Sequence, residues 1–501
     1  MTALVLAACA GPGVLAGGEG VQPPAPPAPL FSVEVVAADD STPLVASIAA
    51  PGATAVATDG AGAAAVGWDE AWELAPATLT VTAPGFRNGA VSVGAMPDEV
   101  VQVRLDPVVL DGRVVTPDGV GLPGTIVTLA GQETTTDQDG SFRIVRAEPG
   151  TILLTRPAWS DTEVVWESSS LLIELEMVPL MIRALRVSGD KAGDDVVWQQ
   201  LLDLADTTAV NALVIDTKDE SGTVMRDVDV QTAYDVGAVV PYYDTDRLIA
   251  DMDAHGIYKI TRIVTFQDDP LATSRPDLAT RNVVDGSPWE NNRGLAWLDP
   301  TDRAAWEYPL ELAVESCRRG FDEIQFDYVR FPSDGDVDEL EFDGLTWTDY
   351  YAEETEQQRL VTVAAFLEEA QNRLNPLGCA VAADIFAITL ESPSDEGIGQ
   401  SPESLADAVD VLSPMIYTYT YAPGWKGFEN PDDHAVEIVT GALDAGIPRL
   451  DGFSIYRPWL QRAFITDAEI LEIQRIAEDR GLGWMLWSAN TEFNSTMLPP
   501  G

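Results

Sequence analysis

From Ile182 onward the chain repeats one pattern, a short β-branched or aromatic run followed by an amphipathic stretch of helical period. That alternation constrains the fold more than any other feature, because a helix returns the chain to the edge it started from and the next strand must then run parallel to the last. The strand-like segments are 184–187, 212–216, 257–266, 323–331, 380–386, 411–417, 453–456 and 484–487. Eight of them over roughly three hundred residues suit a (β/α)8 barrel with loop insertions. Thr466-Asp-Ala-Glu469 has capping-box spacing for a helix running to Gly481, and 361–374 carries apolar residues at helical spacing before Pro376 stops it. A doubly wound open sheet is the alternative. Bound to a nucleotide, it would need a Gly-rich phosphate turn after its first strand, and Ser188-Gly189-Asp190 does not supply one.

The fourth segment, Phe321-Asp-Glu-Ile-Gln-Phe-Asp-Tyr-Val-Arg-Phe-Pro332, sets Asp327 and Arg330 at the end of an otherwise apolar strand. Ionised groups there need partners or a task. Alternation puts Gln325, Asp327 and Val329 on one face and Ile324, Phe326 and Tyr328 on the other, so in a barrel Asp327 reaches the C-terminal rim, where barrel enzymes keep their chemistry. Other strand ends add Asp216, Lys218 and Asp219, then Arg262, Asp384, Tyr417, Trp487 and Asn490. Carboxylates, guanidinium groups and flat rings on one rim are the inventory of a sugar-cleaving site. Glycoside hydrolysis uses one carboxyl group kept protonated to release the leaving oxygen and a second kept ionised as nucleophile or base. Asp327, beside Arg262 or Arg330, takes the ionised role. Asp384, between Ala383 and Ile385, takes the acid role, with Asp216 as the alternative. Tyr417 and Trp487 stack on sugar faces, and Lys218, Asp219, Arg262, Tyr328, Arg330 and Asn490 complete the expected substrate-binding set. Each also has a structural reading: a strand-end Asp can cap a helix, and Arg262 can hold carboxylates inside the lumen. No His/Cys/Asp cluster has zinc spacing and there is no Gly-x-Ser-x-Gly elbow. Glycoside hydrolysis by two carboxyl groups needs neither a metal nor an organic cofactor, and none is expected.

With 501 residues and 46% hydrophobic content the chain can fill more than one core. A formal charge of −52 argues against nucleic acid or an anionic membrane surface as partner, since both would repel it. The acids are spread along the chain, as on a solvated surface suited to a salty or extracellular setting; a cationic polymer is the other partner they would fit. Leu6-Ala-Ala-Cys9 resembles a lipobox, and 11–29 reads as a Gly/Pro/Ala tether. Residues 1–30 are therefore read as a truncated lipoprotein signal and tether, with membrane contact only through a lipid on Cys9 and a cell-surface or extracellular location. Cys317 and Cys379 are expected as buried free thiols. Oligomeric state leaves no signature.

Between the tether and the barrel, short β-branched runs separated by turn residues indicate two small antiparallel sandwiches, 31–107 and 108–180, ahead of a barrel domain at 181–501. The second carries Gly112-Arg-Val-Val, Gly121-Leu-Pro-Gly, Thr136-Asp-Gln-Asp-Gly-Ser-Phe142 and Glu148-Pro-Gly150, and resembles the carboxypeptidase regulatory-like fold. The first echoes it in Thr58-Asp-Gly-Ala-Gly62 and Leu79-Thr-Val-Thr-Ala-Pro-Gly-Phe86, so the two read as tandem copies. Their Asp/Gly clusters are hairpin turns and not calcium loops on this reading, and the modules are spacers or accessory binders.

Leu213-Val-Ile-Asp-Thr-Lys-Asp-Glu-Ser-Gly222, Gly294-Leu-Ala-Trp-Leu-Asp-Pro300, 320–335, Gly397-Ile-Gly-Gln400, Ser413-Pro-Met-Ile-Tyr417 and Arg457-Pro-Trp-Leu-Gln461, in that order, resemble the glycoside hydrolase family described as a domain of unknown function, DUF4015. The resemblance spans roughly 182–495 and implies a TIM barrel related to polysaccharide-active hydrolases. Two departures stand out. After Tyr417 the family continues with a Pro-Ser-His-Tyr-like run, where this chain has Thr418-Tyr-Thr-Tyr-Ala-Pro-Gly424; and the family's Asp-Val-Phe-Gly is here Asp384-Ile-Phe-Ala387. The expectation is a bacterial glycoside hydrolase acting on a surface or extracellular polysaccharide. A barrel that binds glycan as a surface scaffold without cutting it is the alternative. Carbohydrate deacetylation would call for a metal-binding His/Asp set that the sequence lacks.

Overall fold

The computed structural model describes residues 28–168, 170–346 and 349–501; Cys9 and nearly all of the tether lie outside them. The chain forms two compact units, one running up to Val109 and taking in Val145–Glu148, the other formed by Leu110–Ile144 and Pro149–Gly501.

The first seven strands are Leu30–Ala37, Ser47–Ala49, Val56–Ala57, Ala63–Gly67, Ala77–Thr82, Gly89–Val93 and Val101–Leu105. The first lies between the fourth and the seventh, and a second sheet runs third, second, fifth, sixth. Alternate residues Val33, Val35, Ile48, Leu79, Val81 and Val103 meet in one apolar cluster, the period-two burial of a sandwich. The next seven strands, Val109–Val115, Ile126–Leu129, Gln132–Thr135, Ser141–Val145, Gly150–Thr155, Thr162–Trp166 and Leu172–Glu176, repeat the same two strand orders. The repeat reaches individual atoms. The Thr58 hydroxyl donates to the Leu44 carbonyl at 2.6 Å and accepts from the Ala46 N–H at 2.7 Å; Thr136 donates to Leu122 at 2.6 Å and accepts from Thr125 at 2.9 Å. Asp59 accepts the N–H groups of Ala61 and Ala63, and Asp137 that of Ser141, so both Asp/Gly clusters are hydrogen-bonded turns.

The barrel strands are β1 (Arg183–Val187), β2 (Ala212–Lys218), β3 (Tyr258–Val264), β4 (Glu323–Asp327), β5 (Ala380–Phe386), β6 (Val411–Ile416), β7 (Trp459–Gln461, preceded by Ile455–Tyr456) and β8 (Trp484–Trp487). Each pairs in parallel with its neighbours, and β8 pairs with β1, which closes the barrel. β7 is broken at Pro458, which has no N–H to give. The ladder survives because the Pro458 carbonyl accepts from Met485 at 2.9 Å and the Arg457 N–H donates to Leu412 at 3.0 Å. Helices α1 (Asp195–Thr207), α2 (Thr245–Ala254), α3 (Arg303–Arg318), α4 (Glu353–Leu374), α5 (Pro402–Leu405), α6 (Ala435–Gly446) and α7 (Asp467–Glu478) follow the first seven strands in turn. Asp194, Asp244 and Asp302 cap α1, α2 and α3 by accepting first-turn N–H groups, which gives part of the acidic excess a local function. The capping box of Thr466 and Glu469 forms as expected.

Outward residues of β4 pack under the helices. Phe326 and Trp306 both meet Phe366 of α4 edge-on, at 5.2 and 5.7 Å between ring centres. Burial of each such ring contributes about 1.5–3 kcal/mol. Inward residues fill the lumen in layers. Glu323 and Arg457 pair at 2.6 Å at the bottom, Gln325 donates to Ser413 at 3.4 Å above them, and Ala184, Val214, Ile260, Trp459 and Met485 form an apolar plug. Within the larger unit, Arg156 of the second sandwich pairs with buried Asp410 just before β6 at 3.0 Å and lies 4.7 Å over the ring of Phe453. Among the described residues no helix is long and apolar enough to cross a membrane.

Cys317 and Cys379 form a disulfide, contrary to the expectation of free thiols. Neither residue's local context signals it. The bond joins the last turn of α3 to the residue before β5, points 62 residues apart that meet only because β4 and β5 are neighbours in the barrel. Replacing both cysteines with Ser is expected to lower the unfolding free energy by about 2–5 kcal/mol, read from urea titrations with and without reductant. Wild type should move to the variant's midpoint when reduced.

Candidate active site at the barrel mouth

β4 ends sooner than the alternation suggests. Tyr328 takes φ 51°, a left-handed backbone that a side chain disfavours, and the chain turns away at Asp327 instead of continuing to Phe331. The turned Tyr328 N–H donates to Asp327 Oδ1 at 2.7 Å. Asp327 Oδ2 accepts from Arg262 Nη2 at 2.6 Å and from Nε at 2.9 Å. Arg262 Nη2 also donates to Glu220 Oε1 at 2.6 Å, and Nη1 reaches Asp216 Oδ1 at 3.4 Å. A second guanidinium, Arg186 of β1, pairs with Asp216 and donates to the Ala489 carbonyl at 2.9 Å. Both guanidiniums lie over the ring of Trp487, at 4.5 Å for Arg186 and 5.1 Å for Arg262. One guanidinium thus gathers three carboxylates, which the lumen could not hold without it.

Asp384 stands apart from the arginines. Its Oδ1 accepts from Trp459 Nε1 at 2.8 Å, and the side chain is 1% exposed. Burial raises its pKa well above the ordinary carboxyl range, and the negative charge of Asp327 raises it further, against Arg262 and Trp459. Asp384 is thus held toward its protonated form. Glu220 is the opposite case: the Arg262 charge draws its pKa down to about 2, and its side chain remains 29% exposed at the mouth. Asp216 is sealed between Arg186 and Arg262, with burial pushing its pKa up and the two cations opposing.

Tyr417 and Trp487 lie at the mouth, 6.1 Å apart, and Tyr419 stacks on Tyr417 at 5.6 Å. Arg330 is buried among Trp297, Tyr328 and Phe386 at 4.6–5.0 Å and donates to Phe331 O and Ser333 Oγ, so it braces the loop after β4. Three of the expected binding residues lie elsewhere. Asp216 stands opposite Arg262 but Lys218 stands opposite Ile263, so a bulge swings Lys218 to the outer face, where it pairs with Asp268 beneath the Tyr308 ring of α3. Asp219 accepts from Ser221 and Thr223 and shapes a turn. Asn490 is exposed and lines a separate cleft with Lys191, Arg462 and Glu492. Among the described residues no three His, Cys, Asp or Glu side chains are grouped to hold a metal ion.

Sequence reasoning missed Glu220, Arg186, Trp459 and Gln400. Arg186 was accessible from alternation, two residues after inward Ala184. Gln400 is far from the strands in sequence, yet it donates to the Val329 and Asp384 carbonyls and accepts from the Phe386 N–H, tying β5 to the loop after β4.

Residues 184–493 match the family DUF4015, described as "Putative glycosyl hydrolase domain". Among solved structures, the chain is similar to a hypothetical protein from Ruminiclostridium thermocellum ATCC 27405, at 32% identity over 40% of this chain and 96% of that one, with a TM-score of 0.35. It is also similar to the PgaB (BpsB) glycoside hydrolase domain from Bordetella bronchiseptica, at 14% identity over 62% and 95% with a TM-score of 0.47. The PelA glycoside hydrolase domain from Pseudomonas aeruginosa gives 12% identity over 62% and 96% with a TM-score of 0.36. No curated protein matches.

Proposed function

The chain belongs to the DUF4015 family, whose match spans more than half of it, and from that membership and the mouth geometry we propose a glycoside hydrolase acting on a cell-surface or extracellular polysaccharide. The observation that carries the reading is the contrast at the rim. Asp384 is pushed toward its protonated form, while Asp327 is salt-bridged to Arg262.

Asp384 passes its proton to the glycosidic oxygen as the bond from that oxygen to the anomeric carbon breaks. Asp327, salt-bridged to Arg262, faces the positive charge that grows on the anomeric carbon, as nucleophile or as the base that takes a proton from water. Water supplies the hydroxyl that ends on that carbon, and its one other proton goes directly to Asp384 in the nucleophile route; in the base route Asp327 takes it and releases it to solvent, from which Asp384 is reprotonated. One water is consumed for each bond cut, and no redox partner enters. Tyr417 and Trp487 offer faces on which sugar rings stack. The disulfide supports an oxidising, exported location, consistent with a lipid anchor at Cys9, and the two sandwiches serve as spacers of the carboxypeptidase regulatory-like kind.

A second reading has an observation of its own: both oxygens of Asp327 are already occupied, by Arg262 and by the Tyr328 N–H, as in a barrel that binds glycan without cutting it. Incubation of wild type and Asp327→Asn with a panel of bacterial exopolysaccharides separates the two. New reducing ends from wild type, falling at least about 10²-fold in the variant, support hydrolysis. Equal release by both proteins removes Asp327 from the mechanism, and binding without release on every polymer leaves the scaffold.

A further inference from the structure

Beside the carboxylates lies a cavity of about 400 Å³, near the small end of ligand pockets, walled by Phe386, Ala387, Met415, Tyr417, Tyr421 and Trp425. Its position is set by register. Phe386 is two residues beyond Asp384 on β5 and stands opposite Met415 of β6, so the cavity adjoins the proposed acid. No charged side chain lines it, in a protein of formal charge −52. Three lining side chains carry buried polar atoms without a hydrogen-bond partner: Tyr417 Oη, Tyr421 Oη and Trp425 Nε1. Buried polar atoms are ordinarily hydrogen-bonded, so these three mark places for a ligand's polar groups.

The loop is held in place before any ligand arrives. Lys426 pairs with Glu391 after β5, Thr418 Oγ1 donates to Gln461 at 3.0 Å, and the Gly424 N–H donates to Phe428 at 2.7 Å. The run from Thr418 to Gly424 brings Tyr421 to the wall and leads into Trp425, and Ala387 follows Phe386 at the end of β5.

We propose that this cavity is a subsite for an N-acetylated sugar ring, which would make the substrate a polymer containing N-acetylhexosamine. A free amine needs a carboxylate, which the walls lack, and a plain hexose, whose other ring hydroxyls the N-acetylated ring shares, brings no apolar group to cover Phe386, Ala387 and Met415. An acetamido group fits what is present. Its methyl meets Phe386, Ala387 and Met415, its carbonyl accepts from Trp425 Nε1 or a tyrosine hydroxyl, and its N–H donates to a tyrosine oxygen. The inference rests on the hydrolase reading for its place in a reaction, but its test does not.

Saturation-transfer NMR of the full chain with the methyl β-glycosides of N-acetylglucosamine, N-acetylgalactosamine, glucosamine and glucose makes the comparison without assuming a linkage. Transfer should centre on the acetamido methyl, be lost in Trp425→Ala, and persist with about 2- to 10-fold weaker affinity in Tyr421→Phe, whose thermal midpoint confirms folding. Equal transfer to glucose or glucosamine glycosides, or full transfer to the Trp425→Ala variant, would overturn the subsite. Acetamido-selective binding with no reducing ends from any polymer would overturn only the hydrolase reading, and hydrolysis confined to polymers without N-acetyl groups would overturn only the subsite.

Discussion

Asp384→Asn is expected to lower kcat on a polysaccharide by about 10²–10⁴-fold while leaving the fold intact. The amide keeps an oxygen for Trp459 Nε1 to donate to and is neutral, like the protonated acid it replaces. What it loses is the proton. The deficit should therefore shrink on an aryl glycoside whose leaving group departs without protonation, and the alkaline limb of the wild-type kcat/KM profile should vanish in the variant. Burial and the charge of Asp327 place the folded pKa of Asp384 above its unfolded value of 3.8. Between those two pH values the folded chain holds a proton that the unfolded chain has released, so the contribution of Asp384 to stability is full below 3.8 and declines as pH climbs through the folded pKa. The Asn variant should lose less stability over that range. Reducing-end and nitrophenolate assays across pH measure the first effect, and urea unfolding the second. Equal losses on both substrates would remove Asp384 from the acid role.

Arg262→Met should have the largest effect on stability, about 3–5 kcal/mol at neutral pH, because it leaves the carboxylates of Asp327, Glu220 and Asp216 without their shared cation. Its pH dependence should also reverse. In wild type the folded pKa of Glu220, about 2, lies below its unfolded 4.5, so its contribution is present above 4.5 and is lost as pH falls toward 2. Without Arg262 the clustered carboxylates gain by taking up protons, and acidification from pH 7 toward 5 should stabilise the variant. Urea midpoints at the two pH values decide it. A variant as stable as wild type, with the same pH slope, would show that Arg262 does not hold the cluster.

Much of the barrel could be read from local pattern. The boundaries expected at 380–386 and 484–487 coincide with the observed strands, because a short, nearly continuous apolar run, as a barrel strand buried on both faces requires, is a property of the segment itself. The misreadings share a cause. The strand expected at 323–331 stops at Asp327 because Tyr328 adopts a backbone that its own residue type does not announce. The seventh strand was expected at 453–456, but it starts at Ile455 and resumes after Pro458 because neighbouring strands satisfy its ladder. Lys218 looked like a rim residue by simple alternation, and a single bulge moved it to the other face.

Sequence alone determined which chemical groups arrive at the barrel's C-terminal rim, since strand period and helix return are local and place Asp216, Arg262, Asp327 and Asp384 at successive strand ends. Only the tertiary structure decided which of them meet and in what charge state. Glu220 joins Arg262 from a loop, Cys317 finds Cys379, and Asp384 is pushed toward its protonated form while Arg262 holds Glu220 ionised. A carboxyl group's proton affinity is set by burial and by charges a few ångströms away, and those neighbours come from residues up to about a hundred and twenty positions distant, as Arg262 is from Asp384, beyond the reach of any local pattern.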